Sequence, residues 1–121
     1  MANPNIANLT SVLGKTNVQS VTTSATAIVT NSAASGQIYK INSIIISNID
    51  GTNDADITAD FFRDSVSYKL VSTVTVPADA TLVVISKEIM VYLEEGDSIR
   101  LTASADGDLQ AICSYDIITD V

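Results

Sequence analysis

The sequence contains no histidine and no tryptophan, a single cysteine, two prolines and six aromatic residues in the form of four tyrosines and two phenylalanines. Without histidine, a Ser-His-Asp triad, a histidine metal centre and histidine acid–base catalysis are all excluded. The single cysteine, Cys113, cannot form a disulfide within the chain, and its place in the apolar residues 109–115 indicates a buried hydrophobic side chain. The core must therefore be built from Val, Ile, Leu and Ala.

Other catalytic arrangements have little support in the sequence. The four lysines lie among many serines, but no pattern places any of them in the buried pocket that a Ser–Lys dyad requires. Glu94 and Glu95 are adjacent and lead into Gly96, so we expect solvated turn residues and not the paired carboxylates of a glycosidase. We therefore expect a protein that is not an enzyme and that carries no cofactor.

The charge of the chain is strongly acidic, with 14 Asp and Glu against 6 Lys and Arg and a formal net charge of −8. Because phosphate binding requires clustered Lys and Arg, we expect no nucleic-acid partner, and the same charge disfavours an anionic membrane surface. No apolar run approaches the roughly 18 residues of a membrane span. The first residues lack the basic start and apolar block of a signal peptide, so we expect synthesis and folding in the cytoplasm.

Strand signals recur along most of the chain, in segments rich in Val, Ile and Thr that are separated by turn residues. The predicted strands are residues 18–30, 37–49, 57–63, 68–76, 82–86, 90–93, 97–104 and 109–118. About eight short strands at spacings of roughly 8 to 12 residues are typical of a sandwich or barrel. We predict one all-β domain over residues 18–121, a two-sheet antiparallel β-sandwich that is jelly-roll-like or immunoglobulin-like, with the strand order left open.

Residues 1–17 differ in composition from the rest of the chain, because they are rich in Asn and poor in apolar side chains. We predict that they form an extended N-terminal arm. The arm either becomes ordered by docking on a neighbouring subunit or remains a functionless tail, and the sequence favours neither alternative. In the docked case, the apolar anchors are Ile6, Leu9, Val12 and Leu13.

Two of the predicted strands are apolar on both faces, whereas a sandwich strand needs only one apolar face. In residues 37–49 one row is Tyr39, Ile41, Ile45 and Ile49, and the opposite row is Ile38, Ile44 and Ile46. In residues 109–118 one row is Leu109, Ala111, Cys113 and Tyr115, and the opposite positions are Ile112 and Ile118. The second face requires a cover, and the arm or another subunit is favoured over a loop. The predicted interface residues are Ile44, Ile46, Ile112 and Ile118.

Two further sites have weaker support. The loop from Asp50 to Asp56 contains three Asp and one Asn, so it could bind a hard cation, but it does not match an EF-hand and its residues are those of an ordinary turn. We favour the turn and predict no metal. A carbohydrate-binding module is an alternative from another functional class, and such modules use exposed aromatic platforms. Tyr68 and Tyr92 are the candidates for such a platform.

The C-terminal half combines a strand ended by Pro77, a short core strand, an acidic turn and a hairpin of two alternating strands. These features lie in residues 74–84, Lys87, and residues 92–99, 102–109 and 114–118. The segment resembles small virion structural proteins of tailed phages, especially those of marine bacteria and cyanobacteria. The resemblance implies a capsid decoration or cement protein that binds and stabilises the shell, with a neck or tail subunit as the alternative. It also implies location in the virion, assembly as a homo-oligomer and the major capsid protein as the favoured partner.

Overall fold

The computed structural model describes residues 11–119, which form two antiparallel sheets packed against each other. This confirms the predicted all-β sandwich. The nine strands are β1 (Ser11–Ser20), β2 (Thr26–Thr30), β3 (Gln37–Asn48), β4 (Ala55–Arg63), β5 (Val66–Val76), β6 (Thr81–Ile85), β7 (Val91–Leu93), β8 (Ser98–Ala103) and β9 (Leu109–Thr119). Lys87–Ile89 form a short 3-10 turn, and no helix in the described part of the chain is long and apolar enough to span a membrane.

The two sheets contain different sets of strands. The first has the order β1-β9-β3-β6, with β7 also paired to β3, and the second has the order β2-β8-β4-β5. The predicted strand over residues 18–30 is in fact two strands in different sheets, because the chain turns between Ser20 and Thr26. The chain thus crosses between the sheets repeatedly, and the two sheets enclose one core.

The core lies between the sheets and consists almost entirely of aliphatic side chains. Ile57, Ile99 and Leu101 of the second sheet and Ile41 and Leu93 of the first are completely buried. Each such side chain stabilises the fold by roughly 1.5–3 kcal/mol relative to an exposed one. The rings of Tyr39 and Tyr115 stack with centroids 5.4 Å apart, and both pack with this core.

The sheet begins earlier than the predicted domain boundary at residue 17. Ser11–Ser20 pair with β9 without a register shift, from Ser11 opposite Thr119 to Ser20 opposite Gln110. The Asn17 side chain donates to the Ile28 carbonyl oxygen at 2.9 Å, so β1 is also tied to the second sheet. Most of β1 is exposed, and it is held chiefly by backbone pairing. Apolar periodicity therefore could not reveal it. Residues 1–10, including the predicted anchors Ile6 and Leu9, lie outside the described residues.

Candidate assembly surface

A bulge in β3 decides which of its isoleucines face the core. Ile41 pairs with Tyr115 and Ser43 with the adjacent Ser114, so the intervening Asn42 has no partner residue on β9. One extra residue exchanges the two faces of every position that follows it. Ile44 and Ile46 are accordingly 0% exposed in the core. Their prediction as interface residues is wrong, because alternation was extended through the bulge.

The outward positions of β3 beyond the bulge are the ones that the alternation had assigned to the core. Ile45 pairs with Ile112 of β9 and with Val83 of β6, and it is half-buried. Ile49, just beyond the strand, is 53% exposed. The surplus apolar surface that the sequence predicted is therefore present, but different residues of β3 form it.

The two outward isoleucines predicted on β9 have different surroundings. Ile112 is 41% exposed on the outer face of the first sheet, and its place in an interface stays a prediction. Ile118 and its cross-strand partner Ile38 are buried, although neither belongs to the core cluster between the sheets. Because its side chain is buried, Ile118 is not an exposed interface residue in this structure, in contrast to the prediction. Val12 lies opposite Ile118 on β1, and both Val12 and the adjacent Leu13 are more than half exposed.

The outer face of the first sheet carries an area without charge, which we term the neutral face. Its central row crosses four strands and consists of Val18, Ile112, Ile45 and Val83. Two hydroxyl- and amide-bearing rows flank it: Thr16, Ser114 and Ser43 on one side, and Ser20, Gln110, Ser47 and Thr81 on the other. The neutral face thus comprises eleven outward positions, none of them ionisable.

The polar side chains of the neutral face partly satisfy one another. Thr16 and Ser114 hydroxyls lie 3.3 Å apart, and Ser47 and Thr81 hydroxyls lie 3.0 Å apart. A shallow depression of about 280 Å³ lies where Val18 and Ile112 meet the row of Ser20. Val18 is 74% exposed and Val83 is 56% exposed, so the ends of the apolar row face solvent. Apolar rows of this kind are typical of contact surfaces.

The outer face of the second sheet is chemically different. The buried carboxylate of Asp60 lies 2.8 Å from the Lys69 ammonium and 3.8 Å from the Arg100 guanidinium. The same guanidinium lies over the Phe62 ring, 3.8 Å from its centroid. These groups are charged, partnered and partly solvated, which is typical of a sandwich face that remains in water.

An ionic cluster closes the turn between β7 and β8. Arg63 on β4 donates through Nε to Asp97 Oδ1 at 2.8 Å and also contacts Glu94, and the Glu94 backbone N–H donates to Asp97 at 2.8 Å. Hydrogen bonding to Asp97 is the largest cause that raises the pKa of Arg63 above its ordinary value. The acidic turn predicted at these residues is thus a structural tie to the second sheet.

The Asp50 to Asp56 loop uses its first carboxylate to hold its own backbone. Asp50 Oδ1 accepts hydrogen bonds from the N–H groups of Thr52 at 2.8 Å and Asn53 at 3.2 Å. These bonds, with the Thr52 contribution largest, lower the pKa of Asp50. No group of three or more potential metal ligands occurs within residues 11–119. The geometry is that of a turn stabilised by an Asp side chain.

The cysteine and the two candidate sugar-binding tyrosines lie in different surroundings. Cys113 is 0% exposed, and burial raises the pKa of its thiol to about 12. Tyr68 is 57% exposed on β5 of the second sheet, whereas Tyr92 is half-buried on β7 of the first. The two candidate sugar-binding tyrosines therefore belong to different sheets and do not form one surface.

Comparisons with known proteins give a likeness of fold. No protein-family model and no curated protein matches the sequence. Among solved structures, the chain is similar to a chain of the Bacillus endospore appendages, described as a novel family of disulfide-linked pili. The TM-score is 0.55 at 16% identity, over 92% of this chain and 88% of that one. A disulfide link does not transfer readily, because the one cysteine here is completely buried.

Proposed function

We propose that this chain is a non-enzymatic structural subunit that acts by assembling into a larger particle. The observation that carries the proposal is the neutral face, where Val18, Ile112, Ile45 and Val83 form one apolar row across four strands. In a chain with a net charge of −8, an uncharged face with an apolar row at its centre and polar rows at its rim favours contact with another protein surface. The absence of histidine and the burial of Cys113 support a role without catalysis.

The likeness to a pilus protein supports the same general role. It shows that a sandwich of this size and arrangement is compatible with a subunit of a polymer. At 16% identity, this likeness is evidence for the fold and not for a binding partner. The kind of particle must therefore be inferred from other features.

For the particle, we propose the virion of a tailed phage. The support is the sequence resemblance in residues 74–84, Lys87, and residues 92–99, 102–109 and 114–118. Within the virion we favour a decoration or cement protein that binds the major capsid protein and stabilises the shell. The alternative is a subunit of the neck or tail. The net charge of −8 supports contact with proteins over contact with the packaged nucleic acid.

The experiment is quantitative mass spectrometry of purified virions of the phage whose genome encodes the chain. A decoration protein is expected in a copy number comparable to that of the major capsid protein. A protein that forms a ring in the neck or tail is expected at a small fraction of that copy number. Such a result would favour the alternative, a neck or tail subunit, over a decoration protein of the shell. Virions that lack the chain would refute the proposal of a virion component.

A further inference from the structure

We infer that the neutral face is a contact between two copies of this chain, packed sheet against sheet about a two-fold axis. The axis runs parallel to the strands, between β9 and β3. This inference rests on the proposed function and specifies the surface through which the subunit assembles. Symmetric contacts between identical chains are the commonest route to oligomers, and they require a surface that is complementary to itself.

The distribution of charge favours a second copy over another partner. The chain carries a net charge of −8, so most contacts between two copies bring carboxylates together. The eleven positions of the neutral face contain no carboxylate, and two neutral faces can meet without this repulsion. A basic partner, in contrast, would be attracted to the carboxylate-bearing surfaces of the chain.

The order of the strands makes the apolar row complementary to itself. A two-fold axis parallel to the strands and between β9 and β3 exchanges β9 with β3 and β1 with β6, at the same level along the strands. Val18 then lies over the partner's Val83, and Ile112 lies over the partner's Ile45. Sheets that pack face to face are about 10 Å apart with nearly aligned strands, which suits rows of this size.

A charged pair beside the neutral face distinguishes this axis from others. Asp116 and Lys40 are opposite each other on β9 and β3, and among the residues that the structure describes neither forms an ion pair. The proposed axis brings Asp116 over the partner's Lys40 and Lys40 over the partner's Asp116. An axis perpendicular to the strands through the apolar row would instead place Val18 over the partner's Val18 and leave both charges without this contact.

The area of the neutral face predicts a weak dimer. With strands about 4.8 Å apart and outward residues about 6.8 Å apart along a strand, eleven positions cover roughly 350 Å² of each copy. Two copies together bury roughly 700 Å², which is less than the roughly 1,200 Å² of most stable complexes. We therefore expect dissociation on dilution in solution and stable pairing where a particle holds copies at high local concentration.

The first experiment measures dimer dissociation by analytical ultracentrifugation of the full chain over a wide concentration range. Ile112→Asp places a carboxylate at the centre of the neutral face, and we expect it to weaken the dimer at least about tenfold. The matched control is Val66→Asp, which makes the same change in charge at a residue that is 47% exposed on β5 of the second sheet. We expect the control to change dissociation by less than about twofold, and circular dichroism checks that both variants fold.

The second experiment identifies the axis by oxidative cross-linking. A mixture of Val18→Cys and Val83→Cys chains is expected to form a mixed disulfide dimer, whereas each variant alone is not. Cys113 remains unreactive in this test because it is completely buried. Cross-linking of Val18→Cys with itself would show the perpendicular axis and overturn the proposed one.

Equal weakening by Ile112→Asp and Val66→Asp, or a chain that stays monomeric at every concentration without cross-linking, would overturn the inference. If Ile112→Asp also prevents incorporation into virions while the wild-type chain forms no dimer, another virion protein covers the neutral face. In that case the proposed function stands, and the inference that a second copy covers the neutral face is refuted. If the chain dimerises as proposed but is missing from virions, the proposal of a virion component is refuted and the inferred contact between two copies still stands.

Discussion

The bulge in β3 makes a sharp prediction for two adjacent isoleucines. Ile44 is completely buried between Cys113 and Ile85, whereas its neighbour Ile45 is half-buried on the neutral face. Substitution of each by Ala removes the same three carbon atoms from the same strand. The pair therefore separates the effect of the face from the effects of residue type and strand position.

The expected losses follow from burial. Removal of three buried carbon groups costs about 2.4 kcal/mol in transfer free energy, at about 0.8 kcal/mol each. Because Cys113 and Ile85 are themselves buried, the site cannot collapse fully, and the remaining cavity raises the loss for Ile44→Ala to about 3–4 kcal/mol. For Ile45→Ala we expect about 1 kcal/mol, since much of its side chain already meets water.

The assay is equilibrium unfolding in urea at a concentration where the chain is monomeric, supported by thermal unfolding. At roughly 4 °C per kcal/mol for a domain of this size, Ile44→Ala should lower Tm by about 12–16 °C and Ile45→Ala by about 4 °C. The urea m-value should not change, because both variants expose the same chain on unfolding. If Ile45→Ala cost as much as Ile44→Ala or more, odd-numbered residues would face the core and the bulge would not exist as described.

Two further predictions concern β1 and the thiol. Deletion of residues 1–17 removes most of β1 and should lower the free energy of unfolding by at least about 2 kcal/mol. Deletion of residues 1–10 keeps β1 and is the control. Equal unfolding curves for the two truncated chains would contradict the pairing of β1 with β9. Burial raises the pKa of Cys113 from 9.0 to about 12, so unfolding releases a proton above pH 9 and stability should fall as the pH rises from 9 towards 12. The Cys113→Ala variant should lose less stability over that pH range, as measured by urea titrations at several pH values. If the variant and the wild-type chain showed the same pH dependence, the raised pKa of Cys113 would be refuted.

The sequence predicted the fold class and most strand positions, because those depend on local composition and turn residues. The predicted segments 109–118 and 37–49 coincide with β9 and β3, each to within one residue. The orientation of Ile112 was also predictable, since β9 alternates regularly in that region. The boundary of the N-terminal arm could not be predicted, because β1 is stabilised by backbone hydrogen bonds to a strand almost a hundred residues away in the chain.

By itself, the sequence determined that this is an acidic chain without histidine, with the strand pattern of an all-β fold and with strands that are apolar on both faces. Only the tertiary structure decided which of these apolar residues face outward. One unpaired residue, Asn42, places Ile44 in the core and Ile45 outside it, and the pairing of four strands then aligns Ile45 with Val18, Ile112 and Val83. The physical reason is that side-chain facing depends on backbone register, and register is fixed by long-range pairing and not by the residues of one strand.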